Sequence, residues 1–119
     1  MKKTLVIGAS ENPQRYSFIA VNRLKEKDHS VVAVGAREGK IGDTQILKAT
    51  PAFENIDTIT LYLNPGRQKE LYTYILDLNP KRIIFNPGAE NPELEKLARS
   101  KGIEVVEACT LVMLSTGEF

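Results

Sequence analysis

The residues of this chain whose types and spacing could do chemistry begin directly after its first apolar run. Leu5-Val6-Ile7 is followed by GASENPQRYS, which runs from Gly8 to Ser17. A glycine turn between a strand and a helix offers backbone N–H groups and a helix N-terminus, which together favour a bound phosphate. The dinucleotide fingerprint needs further glycines two and five positions after the first, and this chain has Ser10 and Pro13 there. The segment therefore predicts an anion site that lacks the usual NAD motif.

Two arginines are expected beside this turn. Arg15 lies within the segment, and Arg37 follows the second predicted strand. NAD enzymes usually place an acid at the end of that strand, whereas NADP enzymes tend to place an arginine there. Adjacent loops of a parallel sheet would let Arg15 and Arg37 hold phosphate by forked, charge-assisted hydrogen bonds. A phosphorylated ribose is therefore a better match to Arg37 than an unmodified one.

Alternating apolar runs and helical patterns must position these side chains. Helices are predicted from about Ser17, from Pro65 and from Pro92, the last closing at Gly102. We predict an α/β fold: a Rossmann-like, doubly wound, parallel five-stranded sheet with helices on both faces, in a single domain of residues 1–119. Residues 35–53 are interpreted as a loop with at most one short extended piece, and the tail after residue 106 is left unassigned. The predicted strands are 5–7, 31–34, 57–63, 81–85 and 103–106.

Composition excludes several other classes of protein. Sixteen basic and fifteen acidic residues leave a formal net charge of +1, so no global field would attract nucleic acid or an anionic membrane. No apolar run approaches the roughly 20 residues that span a bilayer, and no signal-peptide pattern follows Met1. Cys109 and His29 are the single residues of their types and form no zinc cluster. We expect a cytoplasmic protein without a metal site, in which His29 is a solvated loop residue away from the ligand.

The opening motif resembles that of the small stand-alone CoA-binding proteins, which are related to the CoA-binding domain of the succinyl-CoA synthetase alpha subunit. The resemblance rests first on the pattern GAS-x-NP-x-R-x-S, present here from Gly8 to Ser17. It extends in outline over nearly the whole chain, through the strand end at Val34, Gly42, Tyr62-Leu63-Asn64-Pro65, Asn86-Pro87-Gly88 and Cys109. The family's Asn-Pro pair after the second strand is replaced by Gly35-Ala36-Arg37, and of its last motif only Cys109 is retained.

The resemblance implies coenzyme A as the cofactor. It places the nucleotide end of the ligand at Gly8, Ala9, Ser10, Asn12 and Arg15, with Arg37 near a phosphate. It also implies that the pantetheine arm is flanked by Leu63, Asn64, Pro65, Asn86, Pro87 and Gly88.

The sequence thus favours a module that binds CoA or a short acyl-CoA to sense, carry or present it. No nucleophile–base pair is apparent, and Glu90 and Glu107 are isolated carboxylates without a nameable partner, so no catalytic residue is assigned and an enzyme is not expected. Two alternatives stay open. One is an NAD(P)-binding module or small oxidoreductase, and the other is CoA-linked thiol redox chemistry at Cys109.

Overall fold

A seven-stranded, mostly parallel β-sheet organises the computed structural model, which describes residues 1–119. The strands are β1 (Thr4–Ile7), β2 (Val31–Val34), β3 (Gly39–Ile41), β4 (Thr44–Leu47), β5 (Thr58–Leu61), β6 (Arg82–Phe85) and β7 (Glu104–Glu107). Their order across the sheet is β3-β4-β2-β1-β5-β6-β7, and only the edge strand β3 runs antiparallel to its neighbour. All five predicted strands are present and correspond, in chain order, to β1, β2, β5, β6 and β7.

The predicted strand count of five is wrong, because β3 and β4 form a hairpin within the stretch interpreted as a loop. Ile41 pairs with Thr44 across a two-residue turn, Gly42-Asp43, in which Gly42 has a φ of +60°. A glycine-acid pair between short extended runs is a known hairpin signal. The strands were missed because each is so short that it buries only one or two side chains.

The helices are α1 (Tyr16–Glu26), α2 (Pro65–Gln68), α3 (Tyr72–Asp77), α4 (Pro92–Ser100) and α5 (Thr110–Thr116), with a 3-10 turn (Lys69–Leu71) between α2 and α3. The predicted starts at Pro65 and Pro92 are confirmed. In each case the preceding asparagine, Asn64 or Asn91, accepts hydrogen bonds from the first-turn amides. The unassigned tail forms α5. No helix combines the length and the apolar character needed to cross a membrane.

Side chains alternate across the sheet and build a core on each face. In β1, Leu5 and Ile7 pack in the cluster that includes Ile75 of α3 and Leu94 of α4. Val6, between them, packs in the other cluster with helices α1 and α5. Strands β1, β5 and β6 are buried along their whole length, as expected for central strands of a parallel sheet that is covered on both faces.

His29 lies in the loop before β2, away from the carboxyl edge, as predicted, but it is partly buried rather than fully solvated. Its Nδ1 accepts a hydrogen bond from the backbone N–H of Lys2 at 3.1 Å, and its ring packs edge-on against Phe119 with centroids 4.9 Å apart. Burial, and then the positive charge of Lys2, lower the pKa of His29 below its ordinary value. The folded protein therefore favours the neutral imidazole.

This contact predicts a pH dependence of stability. The unfolded chain binds a proton at His29 near pH 6.5, whereas the folded chain binds it more weakly, so stability from His29 is present above that pH and is lost as the pH falls. In His29→Gln, the free energy of unfolding should change less between about pH 7.5 and about pH 5 than it does in the wild type. Urea unfolding at both pH values measures this, and an unchanged difference in the variant would contradict it.

Candidate functional site

A cleft of about 600 Å³ opens where β1 lies between β2 and β5, at the carboxyl ends of these strands. In a sheet of this kind the chain leaves neighbouring strands in opposite directions at this point, which creates a crevice for ligands. The lining comes from the loops that follow the three strands and from the first turn of α2: Gly8, Ala9, Ser10, Glu11, Asn12, Arg15, Ala36, Arg37, Tyr62, Leu63 and Arg67. Seven of the twelve predicted site residues are in this set.

The loop between β1 and α1, residues 8–15, is called the first loop here, and it packs directly against the end of β2. The backbone N–H groups of Gly8 and Ala9 both donate to the Val34 carbonyl, at 2.9 and 3.0 Å. A Cβ atom on Gly35 would lie 2.3 Å from the carbonyl oxygen of Ala9, so only glycine fits there. The Gly8 and Ala9 amides are thus used within the protein. Contrary to the sequence interpretation, they are not free donors for a phosphate.

Other amides of the same segment have no partner within the protein. The N–H groups of Ser10 and Glu11, and those of Tyr16 and Ser17 in the first turn of α1, donate no hydrogen bond. The N-cap of α1 is Arg15, whose side chain caps nothing, and the first turn contains no acidic residue. An uncapped helix start carries partial positive charge that favours an anion. The free amides of this segment are therefore not those of Gly8 and Ala9, but the segment still favours an anionic ligand.

Three arginines line the cleft without a carboxylate partner. Arg15, Arg37 and Arg67 are exposed, and the two ion pairs of the structure, Lys25–Asp43 and Glu95–Arg99, involve none of them. Unpaired guanidinium groups supply the forked donors that bind phosphate well. Arg67 was missed by the sequence reasoning, although the helix-start pair Asn64-Pro65 precedes it.

Asn64 positions Arg67 from the start of α2. The Asn64 Oδ1 accepts a hydrogen bond from the Arg67 N–H at 3.0 Å, which fixes the first turn of the helix. Asn64 and Pro65 themselves do not line the cleft. Asn64 and Pro65 begin α2, and the first turn of this helix brings Arg67 to the cleft.

Glu11 is the only acidic residue among those that line the cleft, and the sequence reasoning also missed it. Its Oε2 accepts a hydrogen bond from the backbone N–H of Lys40 at 2.9 Å. The side chain crosses over Gly39, where a Cβ would lie 2.3 Å from the Glu11 Cδ. Glu11 therefore ties the first loop to β3.

The predicted residues after β6 lie at the same edge of the sheet but outside the cleft. Pro87 and Gly88 are exposed, whereas Asn86 is only 3% exposed. The Asn86 Nδ2 donates to the Thr60 Oγ1 at 2.7 Å and to the Leu61 carbonyl at 2.8 Å, and its Oδ1 accepts from the Thr110 N–H at 2.9 Å. A side-chain contact from Asn86 to a ligand would have to replace one of these bonds.

Tyr62 lies beside a buried pair of threonine hydroxyls, Thr60 and Thr110, and Cys109 directly precedes Thr110 in the chain. The Tyr62 hydroxyl is buried without a hydrogen-bond partner, near the hydroxyls of Thr60 and Thr110, which bond each other at 2.8 Å. Burial raises the pKa of Tyr62 to about 12, so its hydroxyl is neutral at physiological pH. Cys109 is half-buried at the start of α5 and is not among the residues that line the cleft.

The interpretation of Glu90 and Glu107 as isolated carboxylates is wrong, because each has a neighbouring group. Glu107 faces Glu95 of α4, and a shared hydrogen bond followed by charge repulsion from Glu95 raises the pKa of the Glu107 carboxyl. Glu90 adds a smaller repulsion, and its own carboxylate accepts from the Gly88 N–H at 2.8 Å. None of these three acids lines the cleft.

A second cavity of about 420 Å³ lies at the other end of β2. Its lining includes Lys25, His29, Val32 and Phe53. Its lysine already pairs with Asp43, so this cavity offers less free positive charge than the cleft at the carboxyl edge. The cleft is therefore the stronger candidate for an anionic ligand.

Comparison with known proteins identifies the family. The model of the CoA binding domain matches residues 2–115. The chain belongs to this CoA-binding domain family. No curated protein matches the chain.

Solved structures of similar proteins share the fold. A crystal structure described as that of an uncharacterized protein is 50% identical, with a TM-score of 0.98 over 100% of this chain and 98% of its own. A protein from Thermus thermophilus is 23% identical, with a TM-score of 0.87 over 99% of this chain and 90% of its own. A hypothetical protein from Pyrococcus horikoshii OT3 is 21% identical, with a TM-score of 0.87 over 97% of this chain and 82% of its own. The last two show the shared fold alone.

The cleft of this CoA-binding domain fits the nucleotide end of CoA in chemistry and size. That end carries a diphosphate and a 3′-phosphate, and the cleft presents three unpaired guanidinium groups beside an uncapped helix start. Its volume of about 600 Å³ lies within the usual range of small-molecule sites. Arg15, Arg37 and Arg67 are the residues that would hold the phosphates.

The tight contact at Gly35 predicts a matched pair of glycine substitutions. Gly35→Ala forces the end of β2 away from Ala9 and should lower the free energy of unfolding by about 1–3 kcal/mol. Gly66→Ala is the control, because its added methyl group meets nothing closer than 3.4 Å in the first turn of α2. It should be neutral or stabilising by up to about 1 kcal/mol. Chemical unfolding of both variants measures the difference, and equal stabilities would contradict the contact.

Proposed function

We propose that this protein binds coenzyme A or a short acyl-CoA in the cleft, as a non-catalytic, single-domain module of Rossmann type that senses, carries or presents this ligand. The observation that carries the proposal is the set of three guanidinium groups, Arg15, Arg37 and Arg67, that share one cleft without an ion-pair partner. Arginines in this state favour a ligand with several phosphate charges. Membership of the CoA-binding domain family supports CoA as that ligand.

The nucleotide end is assigned to the first loop. Ser10, Asn12 and Arg15 line the cleft beside the free amides, so Ser10 and Asn12 would meet the diphosphate and ribose, and Arg15 would meet the 3′-phosphate. Gly8 and Ala9 contribute by their small size, since their amides are already bonded to Val34. They leave the floor of the cleft open to the ligand.

The pantetheine arm is assigned to the loops after β5 and β6. Leu63 lines the cleft next to Tyr62 and supplies apolar surface at its β5 side. From there the arm would pass the start of α2 at Asn64 and Pro65 and reach the exposed turn at Pro87 and Gly88. In this assignment Asn86 supports the turn from below.

A binding role is proposed because the lining residues do not form a catalytic set. The titratable side chains of the cleft are Glu11, Tyr62 and the three arginines, and none of them pairs a nucleophile with a base. Cys109 and the Glu95–Glu107 pair lie outside the lining, so no observation favours thiol redox chemistry. The task of the site is then to hold and orient a ligand.

Thermal unfolding with CoA, NADH and NADPH tests the proposal. A ligand at 100 times its dissociation constant stabilises the folded protein by about 2.7 kcal/mol, which gives a clear shift in Tm. We expect a shift with CoA that is larger than the shift with either nicotinamide dinucleotide. Shifts with NADH or NADPH alone would replace the CoA assignment with the NAD(P) alternative.

Arg15 is expected to grip the 3′-phosphate. In that case Arg15→Ala should weaken CoA about tenfold or more, the effect of losing a charged hydrogen bond, and should weaken dephospho-CoA less. Titration calorimetry with both ligands measures the two losses.

Arg23→Ala is the matched control, because Arg23 is an exposed arginine of the same helix region that does not line the cleft. Its affinity for both ligands should stay close to that of the wild type. Equal losses for CoA and dephospho-CoA in Arg15→Ala would move Arg15 to the diphosphate.

A further inference from the structure

The Glu11 carboxylate lies in a cleft whose other charged side chains are the three arginines, yet it forms no ion pair with them. One of its oxygens, Oε2, is held by the Lys40 N–H, and the missing side chain of Gly39 leaves room for the carboxylate to lie across β3. The other oxygen, Oε1, accepts no hydrogen bond within the protein. Glu11 is thus an acid of the cleft lining whose carboxylate is held at one oxygen and has no protein partner at the other.

Many nucleotide-binding sheets of this type use an acidic side chain to bind the ribose of the ligand. There, an acid at the end of the second strand accepts hydrogen bonds from ribose hydroxyls. In this chain β2 ends in Gly35-Ala36-Arg37, which has no acid at that point. Glu11 reaches from the first loop to Gly39 and Lys40 of β3, which follows β2 along the chain and is separated from it in the sheet by β4. The acid is therefore supplied by a different loop.

We propose that Glu11 determines specificity by accepting a hydrogen bond at Oε1 from the 2′-hydroxyl of the bound nucleotide; this rests on the proposed function of the cleft. An ionised carboxylate accepts hydrogen bonds and repels phosphate, so it can face only a donor group of such a ligand. On a ribose that carries a 3′-phosphate, the 2′-hydroxyl is the remaining donor. Glu11 thereby selects ribonucleotides over deoxyribonucleotides, while the arginines hold the phosphates.

Titration calorimetry with a pair of ligands tests this selection. The probes are adenosine 3′,5′-bisphosphate and its 2′-deoxy counterpart, with CoA titrated in parallel. The wild type should prefer the ribose form by about tenfold, the effect of one hydrogen bond to a charged group. In Glu11→Ala this ratio should fall to about one, even if both affinities rise because a negative charge is removed.

Two further variants complete the experiment. Glu38→Ala removes an exposed acid from the neighbouring loop outside the cleft lining, so it should keep the wild-type ratio. Glu11→Gln keeps the side-chain shape and a neutral acceptor of about half the strength, so its ratio should be about threefold. It also replaces Glu11→Ala if that variant fails to fold.

The outcomes separate the two proposals. If the wild type binds CoA but does not distinguish the two bisphosphates, or if Glu11→Ala keeps the preference, the role of Glu11 is overturned and CoA binding stands. If the wild type binds neither CoA nor the bisphosphates, the proposed function fails and the role of Glu11 fails with it.

Discussion

The contact between the first loop and the end of β2 is the constraint on which the site depends. The Val34 carbonyl accepts two amide hydrogen bonds, from Gly8 and Ala9, and Gly35 admits the Ala9 carbonyl to a distance that no Cβ would allow. This contact closes the space between β1 and β2 directly above the strands. The remaining space opens further out, where Arg15, Arg37 and the free amides lie. The position of the cleft is therefore a consequence of backbone packing, and its charge is a consequence of the side chains that the packing leaves outside.

The electrostatics of the cleft follow from what the chain leaves unpaired. Three guanidinium groups near one another repel, and the structure offers them no carboxylate as an ion-pair partner. The negative charge of Glu11 reduces the positive potential of the cleft. The Glu11 side chain itself is held at one side of the cleft by its contacts with Lys40 and Gly39. The charged groups of the cleft are thus a set of three guanidinium groups and a single carboxylate. A ligand with several phosphates and one free hydroxyl matches both parts, whereas a plain anion would match only the first.

Much of the fold could be predicted from local patterns, because apolar runs such as Leu5-Val6-Ile7 and proline helix starts depend on neighbouring residues alone. The β3–β4 hairpin was missed although Gly42-Asp43 is a hairpin signal, because its strands are only three and four residues long and too short to show an apolar run. In the site, the motif from Gly8 to Arg15 led to the cleft, and Arg37 followed from its strand. Arg67 was missed because its position depends on where α2 begins, and Glu11 was missed because its position depends on a contact with β3. No sequence motif indicates either of these features.

The asparagine-containing turns after β5 and β6 are braced against each other by buried polar side chains. The fully buried Gln68 donates to the carbonyls of Leu63 and Ala89, both at 2.8 Å, and so ties the β5 loop to the β6 loop. Asn91 completes the brace by donating to the Gln68 Oε1 at 2.9 Å. A buried polar network of this kind is costly unless every member is bonded, so its residues are constrained by folding alone. The turns that the resemblance assigns to the pantetheine arm are therefore held as one rigid unit, and a ligand that lies across them would meet a surface already formed before it binds.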